Sequence, residues 1–311
     1  MEENPSYVDP WQEYKAINMK LKKRLLRKPN LLEAVKEFSA LSLRLQDEEC
    51  PQYAALCHMT MARCEQQIGN PAGENQNYRK AADLFVKAEK EYAFDLKLPT
   101  MELNLSSALH CYSCAIRSHI EQNQPTLAAA LCMEVGCRLM DLDKDYESIE
   151  FFRQAANYFS DANPCGYYQS LQRKCMCEVN LGFYSDALQT LDNARTSIES
   201  WADTSGASLW QSRLQDIEAA TVILLLTHDL ASHKLNDYQS SLLKNYTTLS
   251  FQEPDFPSHV KRDCRLHLQS FVQSMKEEYC KGAELALTEL QPYLKPYLMD
   301  LALKMLDLIR S

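Results

Sequence analysis

The residues that could carry out chemistry in this 311-residue chain are cysteines and histidines in its first half. Cys111 and Cys114 form a Cys-x-x-Cys pair, and His110 and His119 lie close to it in the sequence. Such residues can hold zinc, but structural zinc needs four ligands and no second pair follows at a suitable spacing. A thioredoxin-type redox pair would follow a strand, which the helical pattern here lacks. We therefore predict that these are core cysteines on a helix, with no metal and no cofactor.

Motifs of nucleotide-binding and hydrolytic enzymes do not occur in the sequence. There is no GxGxxG, GxxxxGK[ST] or GxSxG pattern, and these are the patterns that cradle phosphates or present a nucleophilic serine. The 7 histidines and 42 acidic residues show no spacing that would bring an acid and a base together. The sequence therefore disfavours an enzyme. The 7 glycines are also too few for a β-sandwich, which points to an all-α chain.

A run of basic residues near the N-terminus could contact a partner. Residues 15–28 carry only basic charges, whereas the whole chain has a net charge of −9. The run could be a nuclear signal, a phospholipid patch, a docking face or simply a solvated helix face. An acidic body with one basic helix disfavours nucleic acid as the main partner and favours proteins. The basic run consists of Lys20, Lys22, Lys23, Arg24, Arg27 and Lys28.

The elements that would position these residues are indicated by a repeated packing pattern. In the segment DYESIEFFRQAANYF a small, a large and a second small residue share one side of a helix with a 3.6-residue period. The small residues let a second helix approach closely, and the large one fills the gap, as in tetratricopeptide hairpins. The sets with this spacing are Ser148, Phe152 and Ala155; Ala81, Phe85 and Ala88; Ala34, Phe38 and Leu41; and Ala187, Leu191 and Ala194.

Self-similar hairpins predict a solenoid, because each hairpin can bury its apolar face only against its neighbours. We predict an all-α, tetratricopeptide-like helical-hairpin solenoid with a helical C-terminal cap. The repeats would occupy residues 10–200, a short linker residues 201–207, and a helical portion that continues or caps the solenoid residues 208–311. Helix boundaries are expected at the prolines, which suit a first helical turn and break a helix interior. The predicted helices span about residues 10–27, 31–48, 52–68, 75–94, 100–122, 126–141, 145–160, 165–181, 184–200, 208–232, 236–249, 258–279, 281–291 and 293–309.

Composition and the apolar segments also indicate where in the cell the protein is expected. The longest uncharged apolar run, Ala219 to His228, has about half of the ~20 residues that span a bilayer, so we expect a core helix and no membrane span. The first residues, MEENPSYVDPWQEY, lack the apolar stretch of a secretory signal. The 12 cysteines are scattered through a long chain rather than arranged as a disulfide framework. These features predict reduced thiols and a cytoplasmic or nuclear protein.

One part of the chain resembles a known family. The segment from Tyr14 to Gln66, with its blocks LKKRLLRKPN and ECPQYAALC, resembles the N-terminal conserved stretch of the forty-kilodalton huntingtin-associated protein family. Weaker similarity follows in order through RKAADLFVKAE, QPTLAAALCMEVG, FFRQAANYF and ATVILLL. Some family members carry a small-residue-rich extension and a long proline-rich insert where residues 1–9 and the short linker near Gly206 stand here. Functions of those two tracts are therefore not carried over.

The resemblance implies a solenoid that binds huntingtin, a large HEAT-repeat protein, by packing between its domains and stabilising it as a one-to-one complex. It also implies a link between huntingtin and early endosomes through the small GTPase Rab5. The family offers no catalytic residues. On this basis we expect a non-enzymatic scaffold that is cytoplasmic, with nuclear and early-endosome-associated pools.

The basic N-terminal helix and the apolar C-terminal helices are the predicted contact regions. An alternative keeps the hairpins but assigns them to a trafficking adaptor that resembles the soluble attachment proteins of vesicle fusion. Binding to coiled-coil fusion bundles without huntingtin would favour that alternative. The predicted partner-binding residues are Lys22, Lys23, Arg24, Arg27, Lys28, Leu224, Leu225, Tyr293 and Tyr297.

Overall fold

The chain is almost entirely helical. Within the residues that it describes, the computed structural model contains fourteen α-helices and no strand. The prediction of an all-α fold built from packed helices is confirmed, whereas the tetratricopeptide-like detail stays a prediction. The described residues are 9–21, 29–97, 102–202, 207–226, 235–247 and 258–310.

The first of two compact units spans Met1–Val135. Each helix packs on the next one in the sequence, from α1 to α5. A π-helical turn, Glu91–Asp95, extends α4. The helices of this unit are α1 (Pro10–Leu21), α2 (Leu31–Asp47), α3 (Pro51–Ile68), α4 (Pro71–Lys90), α5 (Leu103–Glu121) and the greater part of α6 (Pro125–Met140).

The second compact unit spans Gly136–Ser311. Helices α7 to α10 pack in sequence, and α10 also contacts α11, α12 and α14, so it is the central helix of the C-terminal part. One continuous apolar core reaches from Ala156 to Leu306. After the end of α6, the helices are α7 (Asp145–Phe159), α8 (Pro164–Asn180), α9 (Tyr184–Ala202), α10 (Ala207–Leu224), α11 (Asp237–Thr247), α12 (Arg262–Lys276), α13 (Cys280–Leu290) and α14 (Pro296–Arg310).

Prolines and asparagines start many of these helices. Proline occupies the first position of α1, α3, α4, α6, α8 and α14, where its missing N–H would have had no helical partner. Asn70 and Asn163 precede two of these prolines, and each side-chain oxygen accepts a hydrogen bond from the backbone N–H three residues on, at 3.2 and 3.0 Å. Helix α4 therefore begins at Pro71, four residues before the predicted start at residue 75.

The repeated packing pattern corresponds to buried contacts. All four sets of small and large residues are buried, and Phe38 and Phe152 are 0% exposed. In the second unit the ring of Phe152 lies directly over Gly136, where a Cβ atom would be 2.6 Å from Cε1 of the ring. Glycine is therefore required at this close approach of α6 and α7.

The remaining differences from the predicted helices are small. Helix α12 is shorter than the predicted 258–279, because Ser258 to Lys261 are not helical and the helix ends at Lys276. Some predicted limits lie outside the described residues: the helix ends at residues 27, 232 and 249, the helix start at residue 100, and residues 203–206 of the linker. The domain limits at residues 200 and 208 stay a prediction.

Candidate partner-binding surfaces

The Cys-x-x-Cys pair lies on α5 and one of its thiols is in the core. Cys111 is 0% exposed, and burial, with a smaller effect of Cys114, raises the pKa of its thiol to about 12. Such a thiol is protonated at neutral pH and therefore unreactive. Cys114 is only partly buried and contacts His110 Nε2 through its sulfur at 3.8 Å. Among the residues that the structure describes, no group of three or more His, Cys, Asp or Glu side chains is arranged to hold a metal ion.

The predicted basic contact residues Lys22, Lys23, Arg24, Arg27 and Lys28 lie outside the described residues. The start of the basic run can be placed, because Lys20 is on the last turn of α1. Its Nζ lies 2.6 Å from Glu37 on α2. This hydrogen bond raises the pKa of the Lys20 ammonium above its usual value. Lys20 thus joins α1 to α2, and a second ion pair connects the same two helices.

That second pair is Arg44 and Glu13, whose charged atoms are 2.5 Å apart. The side chains of both pairs reach water, which screens their charges, so neither pair adds much to the stability of the contact. The apolar side of α1 supplies a firmer attachment, since Ile17 is buried against α2 and α3. Helix α1 is therefore held in a defined position on the first unit.

An aromatic groove lies beside this attachment. The ring of Trp11 stacks on that of Tyr14, with centroids 5.3 Å apart and planes 6° apart. Trp11 is 44% exposed and Tyr53, on α3, is 47% exposed. Together with Leu45 and Leu56 these rings line a groove of about 520 Å³. Trp and Tyr are the residues most often responsible for binding energy at protein interfaces, so this groove is a candidate partner-binding surface.

The groove has a rigid base. The hydroxyl of Tyr14 is hydrogen-bonded to Thr60 Oγ1 at 2.8 Å, and its ring packs on the fully buried Phe38 at 5.3 Å. The ammonium of Lys15 lies over the Trp11 ring, at 5.2 Å from the ring centroid. The aromatic groove was missed in the sequence, although the spacing of Trp11 and Tyr14 places the two rings on one side of a helix.

The predicted contact residues of the C-terminal part lie in different surroundings. Leu224 and Leu225 are 0% and 8% exposed and belong to the core of the second unit. Tyr293 is 37% exposed and stacks on His267, with centroids 5.8 Å apart. Tyr297 is partly buried against the same core. Of these four residues, Tyr293 has the most accessible side chain, and a role for any of them in partner binding stays a prediction.

Tyr297 adjoins a buried charged cluster. Asp216 on α10 is 6% exposed, accepts a hydrogen bond from Lys295, and lies 4.0 Å from Arg213. Burial raises the pKa of Asp216, while Lys295 and Arg213 oppose the rise. Burial also raises the pKa of Tyr168 and of Tyr297. The cluster fastens the start of α14 to α10, which is a structural role.

The described residues thus define an all-α protein in which helices that follow one another in the sequence pack together. None of the helices in the described ranges is both long enough and apolar enough to cross a lipid bilayer.

The sequence is similar to the 40-kDa huntingtin-associated protein of Rattus norvegicus and to that of Mus musculus, with 34% identity over 176 residues in each case. The alignment covers 56% of this chain and 46% of each relative, so the chain spans about half the length of the curated relatives it matches. No family model matches the sequence. The resemblance predicted from the N-terminal segment is confirmed by this similarity.

Proposed function

We propose that this chain is a non-enzymatic scaffold that binds huntingtin. The observation that carries the proposal is the 34% identity over 176 residues to two proteins named for their association with huntingtin. The series of helices that pack in sequence supports it, because such arrays offer large surfaces for binding other proteins. As in the resemblance described above, the chain would pack between the HEAT-repeat domains of huntingtin as a one-to-one partner and stabilise it.

We assign the binding of huntingtin to the aromatic groove together with the basic segment that follows α1 in the sequence. The groove supplies exposed rings on a rigid base, and the basic residues would attract acidic parts of the partner before contact. Stable complexes of this kind bury more than ~2,000 Å², so further surfaces, including that around Tyr293, would take part.

The same proposal includes a cellular role. The chain would link huntingtin to early endosomes through Rab5 and would be found in the cytoplasm, with nuclear and endosome-associated pools.

The assignment of the groove can be tested with the double variant Trp11→Ala/Tyr53→Ala. Both side chains are about half exposed, so their removal leaves the apolar core intact. We expect the Kd for huntingtin of the same organism, measured by biolayer interferometry, to rise by roughly 30-fold or more, because interface aromatics often contribute 2 kcal/mol or more.

The matched control is Tyr279→Ala, which removes an aromatic ring that is 57% exposed on the second unit and should leave the Kd unchanged. An unchanged Kd for the double variant would remove the groove from the interface. Failure of the unmodified chain to bind huntingtin at all would overturn the proposed function itself.

A further inference from the structure

The geometry points to a second binding site, a polar groove on the second unit that accepts an extended peptide segment by its main chain. The groove has a volume of about 460 Å³. Helix α8 forms its floor, and α7 and α9, which both pack on α8, form its walls. All its lining residues belong to the second unit, and none of them is among the residues assigned above to huntingtin binding.

The walls carry amide side chains that are available to a ligand. Asn157 projects from α7, and Gln189 and Asn193 project from α9. All three are exposed, and none of their side chains makes a hydrogen bond to another residue that the structure describes. An amide group has both an N–H donor and a C=O acceptor, so it matches the C=O and N–H of a peptide unit. Amides on two facing walls can therefore hold a polypeptide main chain between them.

The floor is unusually polar for a packed helix. Lys174 donates to Glu178 at 2.5 Å and to Thr190 at 2.6 Å, and Thr190 donates to the other oxygen of Glu178 at 2.8 Å. Glu178 and Thr190 are 3% and 2% exposed. A buried ion pair adds little stability compared with well-packed apolar residues. An ammonium has three N–H donors, so Lys174 keeps one for a carbonyl oxygen in the groove.

The charges of the groove favour a peptide main chain over a polyanion. The lining includes two cations, Arg153 and Lys174, and two anions, Glu178 and Asp186. Moreover, Glu150 binds Arg153 through both of its oxygens, at 2.6 and 2.8 Å. A neutral groove gains nothing from a nucleic acid or an acidic tail, because such ligands need a net positive surface.

The length of the groove fits a short extended segment. Its floor runs along α8 from Tyr167 to Glu178, which corresponds to roughly 16 Å at ~1.5 Å per residue. An extended chain rises ~3.3 Å per residue, so about five residues would lie in the groove. Tyr167 and Leu171 at one end give an apolar side chain a place to pack. The expected ligand is thus a peptide of about five extended residues with an apolar side chain near one end.

The site can be tested without knowing its natural ligand. The probe is a random heptapeptide library displayed on phage, selected on the full chain and counter-selected on the double variant Asn157→Ala/Asn193→Ala. Enriched peptides are then synthesised with both ends capped and a fluorophore attached, and their Kd is measured by fluorescence polarisation. Alanine favours helix, and both replaced residues are exposed on helices, so the variant should fold, which circular dichroism checks.

We expect the selection to yield peptides that bind the unmodified chain. Their Kd should rise about tenfold for each amide side chain of the protein that is replaced by alanine, or about a hundredfold for the double variant. Methylation of alternate backbone nitrogens of the peptide should abolish binding, whereas Gln291→Ala, an exposed amide outside the groove, should change nothing. Failure to enrich any peptide over the counter-selection, or equal binding to the double variant, would refute the site. So would preferential, salt-sensitive binding of polyglutamate. These outcomes are independent of whether the chain binds huntingtin.

Discussion

At the scale of single residues, the close contact between Gly136 and Phe152 leads us to predict that a larger residue at position 136 destabilises the fold. A Cβ on Gly136 would lie 2.6 Å from a ring that is 0% exposed and cannot move aside. We expect Gly136→Ala to lower the free energy of unfolding by about 1–3 kcal/mol, as overpacking does. Urea denaturation followed by circular dichroism measures this change.

The control for that substitution is Gly282→Ala. A Cβ there would also meet an aromatic ring, that of Tyr279, and would lie 2.8 Å from Ser274 Oγ. Tyr279 is 57% exposed and can rotate into water, and the short Ser274 side chain can change rotamer. The free energy of unfolding of Gly282→Ala should stay within about 0.5 kcal/mol of that of the unmodified chain. Equal losses for the two variants would mean that the close approach of α6 and α7 is not as described.

The buried imidazole of His58 should make the stability of the folded state depend on pH. Its side chain is 8% exposed, its Nδ1 is hydrogen-bonded to Asn77 Oδ1 at 3.0 Å, and burial lowers its pKa. The unfolded chain, with a His pKa of about 6.5, therefore takes up the proton first. Stability from this group is complete above pH ~6.5 and decreases as the pH falls towards the folded-state pKa.

The measurement is the urea midpoint at pH 7.5 and at pH 5.5. His58→Gln should lose less stability between the two values than the unmodified chain, because it has no buried imidazole to charge. His110→Gln, at an exposed position, should keep the full decrease. The same decrease in the His58 variant would show that other groups cause the pH dependence.

At the scale of elements, one carboxylate connects two helices and the stretch that precedes a third. Glu218 on α10 is 0% exposed. It accepts hydrogen bonds from the Tyr246 hydroxyl at 2.9 Å, the Ser258 hydroxyl at 2.7 Å and the backbone N–H of His259 at 2.7 Å. It therefore ties α11 and the residues before α12 to the central helix.

Replacement of this group should loosen those elements selectively. In Glu218→Gln an amide N–H₂ would face a donor, which costs about 1–3 kcal/mol for the group left unsatisfied. Hydrogen-exchange mass spectrometry should show faster exchange in α11 and in the first turn of α12, with no change in α2 to α4. The exposed Glu289→Gln provides the control. Unchanged exchange in α11 would contradict the role of Glu218.

The helices were predictable because their signals are local. Pro51, Pro71, Pro125 and Pro164 begin helices, and the small and large residues of the packing pattern are buried as a 3.6-residue period requires. The surfaces were not predictable in the same way. The apolar run from Ala219 to His228, which contains Leu224 and Leu225, suits a core and an interface equally. Only the fold shows that these two leucines are buried.

The two grooves depend on contacts between separate elements. The aromatic groove combines Trp11 and Tyr14 of α1 with Tyr53 of α3, and the polar groove combines amides of α7 and α9 over α8. Exposure of a tyrosine or an asparagine cannot be derived from spacing within one helix, because the neighbouring helices decide which side remains open. For this reason the sequence indicated the packing but not the shape of the surface.

At the scale of the whole molecule, charge should govern association with the partner. The net charge is −9, yet residues 15–28 hold only basic charges. We expect the triple charge reversal Lys22→Glu/Lys23→Glu/Arg24→Glu to slow association with huntingtin about tenfold or more at low salt, with a smaller effect at high salt. Stopped-flow fluorescence measures the association rate.

The control reverses three exposed lysines elsewhere, Lys80, Lys276 and Lys281. It adds the same net charge but leaves the basic segment unchanged, so its association rate should decrease much less. Equal rates for the two triple variants would exclude a specific docking role for the basic segment.

The central claim is that this chain binds huntingtin directly and as a single copy. The most direct measurement is size-exclusion chromatography with light scattering on the purified chain, on huntingtin of the same organism, and on their mixture. We predict one co-eluting species whose mass equals the sum of one copy of each, with little free chain at equimolar mixing. Two separate peaks with the masses of the individual proteins would contradict the claim and would favour the trafficking-adaptor alternative.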